Sequence, residues 1–217
     1  MAITEFIFVR HGETVANVNK ILQGHLNSEL TENGIAQAKA TAAYLADKKF
    51  DVMFTSDLKR ARDTAELIHA GFKAAPELIV TERLREWHGG RAEGRKWQEV
   101  IKETPELLNA FIRESENIRF PGGESRLEFQ KRIDDFLSDV LEQYRGKHIL
   151  MVSHGGVAQR MFHTVAGVVS EKNLIPLGGN ASISSFIYDD NRNAWQLVSW
   201  NCREHLAGLT EFLSLSF

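Results

Sequence analysis

The sequence has a single cysteine, Cys202, among its 217 residues, so no disulfide can form within the chain. This cysteine usage indicates a reducing compartment. An excess of charge of one sign is also missing, because 26 Lys and Arg are balanced by 29 Asp and Glu. Nucleic-acid-binding proteins usually have a basic face and a high pI, so the net charge of -3 does not favour that class.

Long apolar segments are absent as well. No apolar run approaches the ~20 residues that a membrane-spanning helix needs, and residues 1–8 lack the charged-then-apolar layout of a secretion signal. We find no internal repeat, no low-complexity stretch and no linker rich in Pro, Gly or Ser. We therefore expect one cytoplasmic domain over residues 1–217 that binds neither nucleic acid nor a membrane. The sequence does not indicate an oligomeric state.

What the sequence does contain is an alternation of short apolar runs and amphipathic stretches. Strands are predicted at residues 3–9, 52–55, 78–81 and 148–152, and a hairpin from 182–188 and 195–200. Helices are predicted after Thr31, from Leu58 onwards, and after Ser125, which forms a capping box with Glu128. This order predicts an α/β fold with a mostly parallel central sheet, helices on both faces and a helical insertion at roughly residues 95–145, where Pro105 is expected to begin a helix.

Polar side chains follow the predicted strands at the points where those strands end. One strand runs into Arg10-His11-Gly12, another into Ser153-His154-Gly155, and a third ends just before Ser56. In open α/β sheets, ligands bind outside the carboxyl ends of the strands. We therefore expect the functional site at that edge.

His11 is the first candidate for chemistry. A neutral imidazole has a reference pKa near ~6.5 and is a competent nucleophile at neutral pH. Attack on phosphorus would give a phosphohistidine and divide one difficult displacement into two easier ones. On position alone, an ordinary polar residue after a strand is an equally good interpretation of His11. His154 is a candidate hydrogen-bond donor to a phosphoryl group, best when protonated. A histidine whose hydrogen bonds are made by backbone groups at a strand end is an equally good interpretation of His154.

Phosphoryl transfer needs positive charge around the equatorial oxygens. Arg10 is adjacent to His11, and both can serve one site if the chain bends at Gly12. Arg60 lies one helical turn after Ser56, and Arg62 competes with it for the same role.

A leaving alkoxide also needs a proton, so a carboxylic acid should stand near the transferred group. Glu82, Glu86 and Glu93 all follow the third strand, and their spacing does not distinguish between them.

Taken together, these residues resemble the histidine phosphatase superfamily, which also contains the cofactor-dependent phosphoglycerate mutases. The resemblance extends over nearly the whole chain. The matching segments are Arg10-His11-Gly12-Glu13-Thr14, Asn17, Gln23-Gly24, Leu30-Thr31, Gly34, Gln37-Ala38, Ser56, Leu58, Arg60-Ala61, Thr64-Ala65, Leu84-Arg85-Glu86, Gly90, Glu93-Gly94, Pro121-Gly122-Gly123-Glu124-Ser125 and Ser153-His154-Gly155-Gly156.

The resemblance implies a phosphoglycerate mutase-like fold and a set of roles. His11 would be the nucleophile and Glu86 the proton donor, which selects Glu86 among the three glutamates and Arg60 over Arg62. The residues implied to contact the phosphoryl group or substrate are Arg10, Arg60, His154, Asn17, Gln23, Gly24 and Gly155, with Asn180 as a further position where the family often has asparagine.

Hydrolysis is favoured over mutase activity. The mutases of this superfamily resemble one another in a Tyr-Gly segment directly after the acid, whereas Glu86 is followed here by Trp87-His88-Gly89-Gly90, which resembles the phosphatase branch. We therefore expect a phosphatase similar to the histidine acid phosphatases, acting on a small phosphorylated metabolite, with mutase activity as the nearer alternative.

Two other classes are disfavoured. A zinc hydrolase could use two histidines and a glutamate, but fixed cations at Arg10 and Arg60 repel a dication and attract an anion, so no metal is expected, nor any other cofactor. A phosphoester-binding protein would need neither a nucleophile nor an acid.

The sequence also departs from the family pattern at some positions, in Asn27-Ser28-Glu29, Ala92 and Asn201-Cys202-Arg203, which puts the substrate in doubt. Arg91 and His88, in the loop after Glu86, are basic, so we expect them to contact a second acidic group on the substrate.

Overall fold

The computed structural model describes residues 2–105, 118–168, 176 and 178–209. At its centre is a six-stranded sheet. The strands are β1 (Ile3–Arg10), β2 (Val52–Ser56), β3 (Glu77–Thr81), β4 (His148–Ser153), β5 (Ile183–Asp189) and β6 (Ala194–Cys202). Each predicted strand is present, with bounds that differ from the prediction by one or two residues, because short apolar runs bounded by polar residues are typical of buried strands.

The strands lie in the order β3-β2-β4-β1-β5-β6. The first four are parallel, and β5 pairs antiparallel with both β1 and β6. The carboxyl ends of β1 to β4 therefore lie at one edge of the sheet, together with the start of β5, where Ile183 is opposite Val9. The predicted α/β class with a mostly parallel sheet is confirmed.

Helices connect the strands, and local sequence signals define where several of them begin. The helices are α1 (Val15–Val18), α2 (Glu32–Leu45), α3 (Lys59–His69), α4 (Trp97–Glu103), α5 (Arg126–Gln143) and α6 (Gly155–Ala166). Thr31 caps α2 by accepting a hydrogen bond from the Gly34 amide, and Ser125 forms the expected capping box with Glu128 at the start of α5. Side-chain caps of this kind satisfy amide groups that have no partner within the helix.

The core has two parts, one on each face of the sheet. Along β1, Phe6 and Phe8 pack on one face, while Ile7 and Val9 pack on the other. This follows from the two-residue side-chain period of a strand. Residues of α2 and α3 cover the second face, and residues of α5 and α6 cover the first. The prediction of helices on both faces is confirmed.

Two details of the sequence patterns need correction or stay open. Ile35 shares the helical spacing of the apolar residues Ala38, Ala42 and Leu45, which predicts a buried position. It is exposed, because the first turn of α2 packs through Gly34 and Gln37 against residues 12 and 13. The helix predicted to begin at Pro105 falls on residues 106–117, outside the described residues. The helical insertion at residues 95–145 stays a prediction, with α4 and α5 in its described parts.

Candidate active site

The candidate site lies at the carboxyl edge of the parallel strands. β1 ends at Arg10, directly opposite Ser153 at the end of β4. β2 ends at Ser56, opposite Thr81 at the end of β3. The sheet register therefore brings the three polar strand ends of the sequence to one place.

His11 is buried and its tautomer is defined by the backbone. Nδ1 of its ring lies 2.8 Å from the carbonyl oxygen of Gly12. A carbonyl can only accept, so Nδ1 carries the proton and the lone pair is on Nε2. Burial, then the charges of Arg60 and Arg10, hold the pKa of His11 well below its usual 6.5. The ring is therefore neutral at neutral pH, as a nucleophile must be.

Two buried arginines flank His11. Arg10 donates to the carbonyl of Gly178, and Arg60 donates to the carbonyls of Leu26 at 2.9 Å and Gly24 at 2.8 Å. Burial lowers the pKa of each guanidinium to about 10, so both remain charged at neutral pH. Arg62, the competing arginine of the sequence analysis, is exposed and pairs with Glu66.

His154 is held by Ser56 across the edge of the sheet. Its Nε2 lies 2.8 Å from Ser56 Oγ, and that hydroxyl already accepts from the amide of Leu58. A hydroxyl can accept twice and donate once, so this contact fits both tautomers of a neutral His154, and donation from Ser56 to Nε2 would place the ring proton on Nδ1. The ring centroids of His154 and His11 are 5.3 Å apart.

Protonation, which would make His154 the best donor, is opposed by its surroundings. Burial, then the charges of Arg60, His11 and Arg10, hold the pKa of His154 well below 6.5. In the tautomer with its proton on Nδ1, a neutral His154 can still donate to a phosphoryl group.

Three buried nitrogens at this edge have no hydrogen-bond partner within the described residues. They are Nε of Arg10, Nε of Arg60 and Nδ1 of His154. Buried donors and buried charges are costly unless they are paired. An anion with several oxygens, such as a phosphoryl group, matches this set of donors.

Neutral amide donors are oriented beside the charged ones. The amide oxygen of Asn17 accepts from the backbone N–H of Thr14 at 3.1 Å and from Nδ2 of Asn180 at 3.2 Å. Thr14 Oγ1 lies 2.9 Å from that oxygen and 3.2 Å from Oε1 of Gln23. With both amide oxygens occupied, the NH₂ groups of Asn17 and Gln23 make no hydrogen bond in the described part of the chain.

Asn180 links this amide group to the nucleophile loop. Its Nδ2 also lies 3.1 Å from the carbonyl of His11 and 3.3 Å from that of Gly12. Asn180 is thus placed to hold the loop rather than to line it.

Glu86 is held by two backbone amides from different segments. Its Oε1 accepts from the amide of Trp87 at 2.9 Å, and its Oε2 accepts from the amide of Gly156 at 3.0 Å. A Cβ atom on Gly156 would lie 2.1 Å from Glu86 Oε1, so this close approach requires glycine. Glu86 is also close enough to act electrostatically on both Arg10 and Arg60.

The two other candidate acids have different surroundings. Glu82 is exposed and pairs with Arg85. Glu93 Oε1 accepts from the amides of His25 and Gly89, so it ties two loops together.

The two glycines expected to bind substrate, Gly24 and Gly155, lie close to the proposed catalytic residues. Gly24 adopts a positive φ of 48° and offers its carbonyl to Arg60. Gly155 begins α6. Their contact with a substrate stays a prediction.

His88, in the loop after Glu86, stacks on His25, which lies in the segment between α1 and α2. The rings of His25 and His88 are 4.6 Å apart, and Nε2 of His25 donates to the carbonyl of Glu86 at 2.9 Å. Arg91 is exposed. Contact of His88 and Arg91 with a second acidic group stays a hypothesis.

Several residues of the site were given no role by the sequence reasoning. Thr64 Oγ1 accepts from the Gly12 amide and donates to the Arg60 carbonyl, and Gln37 accepts from the Glu13 amide. Ser153 donates to the carbonyl of Leu84. Their membership of the matching segments was the only signal, because polar residues at helical spacing are usually solvated.

In the part of the chain that the structure describes, no group of three His, Cys, Asp or Glu could hold a metal ion. Over the same ranges, no helix combines the length and hydropathy needed to cross a bilayer.

Comparisons with known proteins show the family of this chain. Residues 6–203 match the family described as the histidine phosphatase superfamily (branch 1). A metal-independent phosphoserine phosphatase of Arabidopsis thaliana is 34% identical over 209 residues, which are 95% of this chain and 85% of the relative. Phosphoglycerate mutase-like protein 4 of the same plant is also 34% identical, over 98% of this chain and 91% of its own.

A solved structure shows the same fold. A histidine-to-alanine mutant of phosphoserine phosphatase from Entamoeba histolytica, in complex with phosphoserine, superposes with a TM-score of 0.81. The two sequences are 30% identical, and the match covers 94% of this chain and 99% of the other.

Proposed function

Because the chain belongs to the histidine phosphatase superfamily, we propose that it hydrolyses a small phosphomonoester through a phosphohistidine on His11. One observation carries the proposal. The bond from His11 Nδ1 to the Gly12 carbonyl leaves an unprotonated Nε2. Burial, then the charges of Arg60 and Arg10, keep the ring neutral by lowering its pKa, and the same two charges attract the phosphoryl group. A nucleophile and an anion site thus share one buried edge of the sheet.

In the first step, the Nε2 lone pair of His11 attacks phosphorus. The bond from phosphorus to the ester oxygen breaks, and its electron pair goes to that oxygen. Glu86, as a carboxylic acid, gives its proton to the leaving alkoxide, and the alcohol departs. Arg10, Arg60, His154 and the amides of Asn17 and Gln23 donate to the phosphoryl oxygens while charge builds up on them.

In the second step, water replaces the alcohol. The Glu86 carboxylate takes one proton from the water as its oxygen attacks phosphorus. The bond from phosphorus to Nε2 breaks and its electron pair returns to His11. The products are one alcohol and one inorganic phosphate for each ester and water consumed, and Glu86 again holds a proton.

The substrate class is proposed from the relatives. The names of two of them specify phosphoserine, an alkyl phosphate that carries a carboxylate and an amine. We expect a small phosphorylated metabolite of this kind. Transfer of the phosphoryl group to a second hydroxyl, as in a mutase, is the nearer alternative, since another relative is named mutase-like.

The test measures phosphate release in the presence of EDTA from O-phosphoserine, 3-phosphoglycerate and an activated aryl phosphate. Wild type should release phosphate, and His11→Ala should lose activity by about 10⁴-fold or more. His148→Ala is the matched control, because His148 lies at the opposite end of β4 and should tolerate replacement. In rapid-quench experiments with substrate labelled in its phosphoryl group, the label should be found on the wild-type protein and not on His11→Ala.

Three results would contradict this function. Isomerisation of 3-phosphoglycerate without phosphate release would indicate a mutase. Loss of activity in EDTA would indicate a metal hydrolase. Full activity of His11→Ala would remove His11 from the chemistry.

A further inference from the structure

Arg132, on α5, has no role in the chemistry above, yet its side chain reaches the loop that carries Glu86. Its guanidinium makes two parallel bonds to the Glu124 carboxylate, from Nε at 3.0 Å and from Nη2 at 2.8 Å. It also lies over the ring of Phe129, 4.8 Å from the centroid. Both partners of the ion pair are largely buried, and a two-pronged arrangement of this kind fixes the guanidinium plane.

The remaining donors of Arg132 bind backbone carbonyls just before and at Glu86. Nη1 donates to the carbonyls of Arg83 at 2.7 Å and Arg85 at 2.8 Å, and Nη2 lies 3.3 Å from that of Glu86. The carbonyl between them, that of Leu84, accepts from Ser153 Oγ at 2.6 Å. All four successive carbonyls of residues 83–86 are therefore bound by side chains from α5 and β4.

Glu124, the partner of Arg132, holds the chain just after Glu86. Its carbonyl accepts from the indole N–H of Trp87 at 2.6 Å, and its amide donates to the carbonyl of His88 at 2.9 Å. The pair Glu124–Arg132 thus fixes the backbone on both sides of residue 86.

We propose that Arg132, oriented by Glu124, is a positioning residue for the general acid. The Glu86 carboxylate bridges the amides of Trp87 and Gly156, which belong to different segments. It can keep both bonds only if the backbone of residue 86 stays at a fixed distance from α6. Arg132 sets that distance from α5. This inference rests on the proposed role of Glu86.

A general acid must lie within hydrogen-bond reach of the leaving oxygen, so a small displacement of Glu86 has a specific kinetic effect. An alkyl leaving group needs a proton in the transition state, whereas an activated aryl leaving group hardly does. Loss of positioning therefore slows alkyl esters selectively. A variant that merely lowers the folded fraction slows both esters equally.

The experiment compares O-phosphoserine with an activated aryl phosphate in Arg132→Met. We expect kcat/KM, which reports formation of the phosphohistidine and not its hydrolysis, to fall about 100-fold for the alkyl ester and by less than a factor of about ten for the aryl ester. Both values come from one preparation, so their ratio does not depend on how much protein is folded. Arg132→Lys and Glu124→Gln, which keep part of the interaction, should give intermediate ratios.

Arg83→Met is the matched control. Arg83 also joins this loop to α5, through a 2.8 Å ion pair with Asp139 and a guanidinium 5.3 Å from the Phe136 ring centroid. Its side chain donates to none of the carbonyls of residues 83–86. The ratio of the two rates should stay at the wild-type value.

A double-mutant cycle with Glu86→Gln decides the result. Arg132→Met should not change the ratio further once Glu86→Gln has been made. The proposal is overturned if Arg132→Met slows both esters equally, or if it still changes the ratio in Glu86→Gln. Equal slowing of both esters by Glu86→Gln itself would refute the acid and this inference together, while leaving the His11 test unaffected.

Discussion

The two sides of the site are built in different ways. One side, the nucleophile floor, consists of Arg10, His11, Arg60 and His154, each exposed by 4% or less. The other side, the acid wall, consists of Glu86, Trp87, His88, Glu124 and Arg132, of which most are partly exposed. The floor is placed by the ends of neighbouring strands and the start of α3. The wall is placed by side chains that bind the backbone of a loop.

The floor therefore acts mainly through electrostatics, whereas the wall acts mainly through the position of the Glu86 carboxylate. In the floor, charged groups are close together and desolvated, so the pKa of all four residues is lowered. In the wall, the carboxylate of Glu86 depends on two amide bonds and on the position of its own backbone. Damage to the floor should slow every ester, and damage to the wall should slow esters according to their leaving group.

The largest effect is expected from Arg60→Met in the floor. Loss of a fixed charge at the phosphoryl group should lower kcat/KM about 1,000-fold for alkyl and aryl esters alike. Arg60 also lowers the pKa of His11, so its removal should raise that pKa and move the acid limb of the pH profile to higher pH.

Arg62→Met is the control for this variant, since Arg62 is exposed on the same helix. It should leave both the rate and the pH profile unchanged. If Arg60→Met lowered kcat/KM more for alkyl than for aryl esters, the proposed difference between the floor and the wall would be wrong.

A smaller, selective effect is expected from Gly156→Ala in the wall. The added methyl group would lie 2.1 Å from Glu86 Oε1 and would displace the carboxylate. Hydrolysis of O-phosphoserine should slow about 100-fold, with a much smaller loss for an aryl phosphate. Glu86→Ala removes the carboxylate that the added methyl group would displace. Adding Gly156→Ala to that variant should therefore lower the rate only slightly further. An unselective loss would show that α6, rather than the acid, had been disturbed.

The smallest effect concerns stability and pH. The pKa values of His11 and His154 are lowered on folding, so the unfolded chain binds more protons below pH 6.5. The stability that comes with neutral His11 and His154 is fully present above pH 6.5. It is lost as the pH falls, because protonation then favours the unfolded chain. Each should reduce the free energy of unfolding as the pH falls from 7 to 5, with a slope of at most about 1.4 kcal/mol per pH unit.

Urea unfolding at a series of pH values measures this slope. His154→Asn should show a shallower loss of stability than wild type between pH 7 and pH 5. Ser56→Ala, which removes the hydrogen bond to His154 but no titrating group, should keep the wild-type slope. Parallel curves for wild type and His154→Asn would mean that the floor is not desolvated.

Sequence patterns predicted much of the floor and little of the wall. His11 and His154 follow apolar strands, and the rule for parallel sheets places such residues at one edge. Arg132 carries no such signal, since an arginine on an amphipathic helix is usually solvated. Its carbonyl partners lie 46 to 49 residues earlier in the chain. Ser56 and His154 are likewise 98 residues apart.

The sequence by itself determined the α/β class, the strands and their polar ends, because side-chain periodicity and capping act over a few residues. Its motifs also indicated the family. Only the tertiary structure decided which ring nitrogen of His11 carries the proton and what holds Glu86 in place. Those properties depend on desolvation and on hydrogen bonds between distant segments, and both exist only once the sheet and its helices have packed.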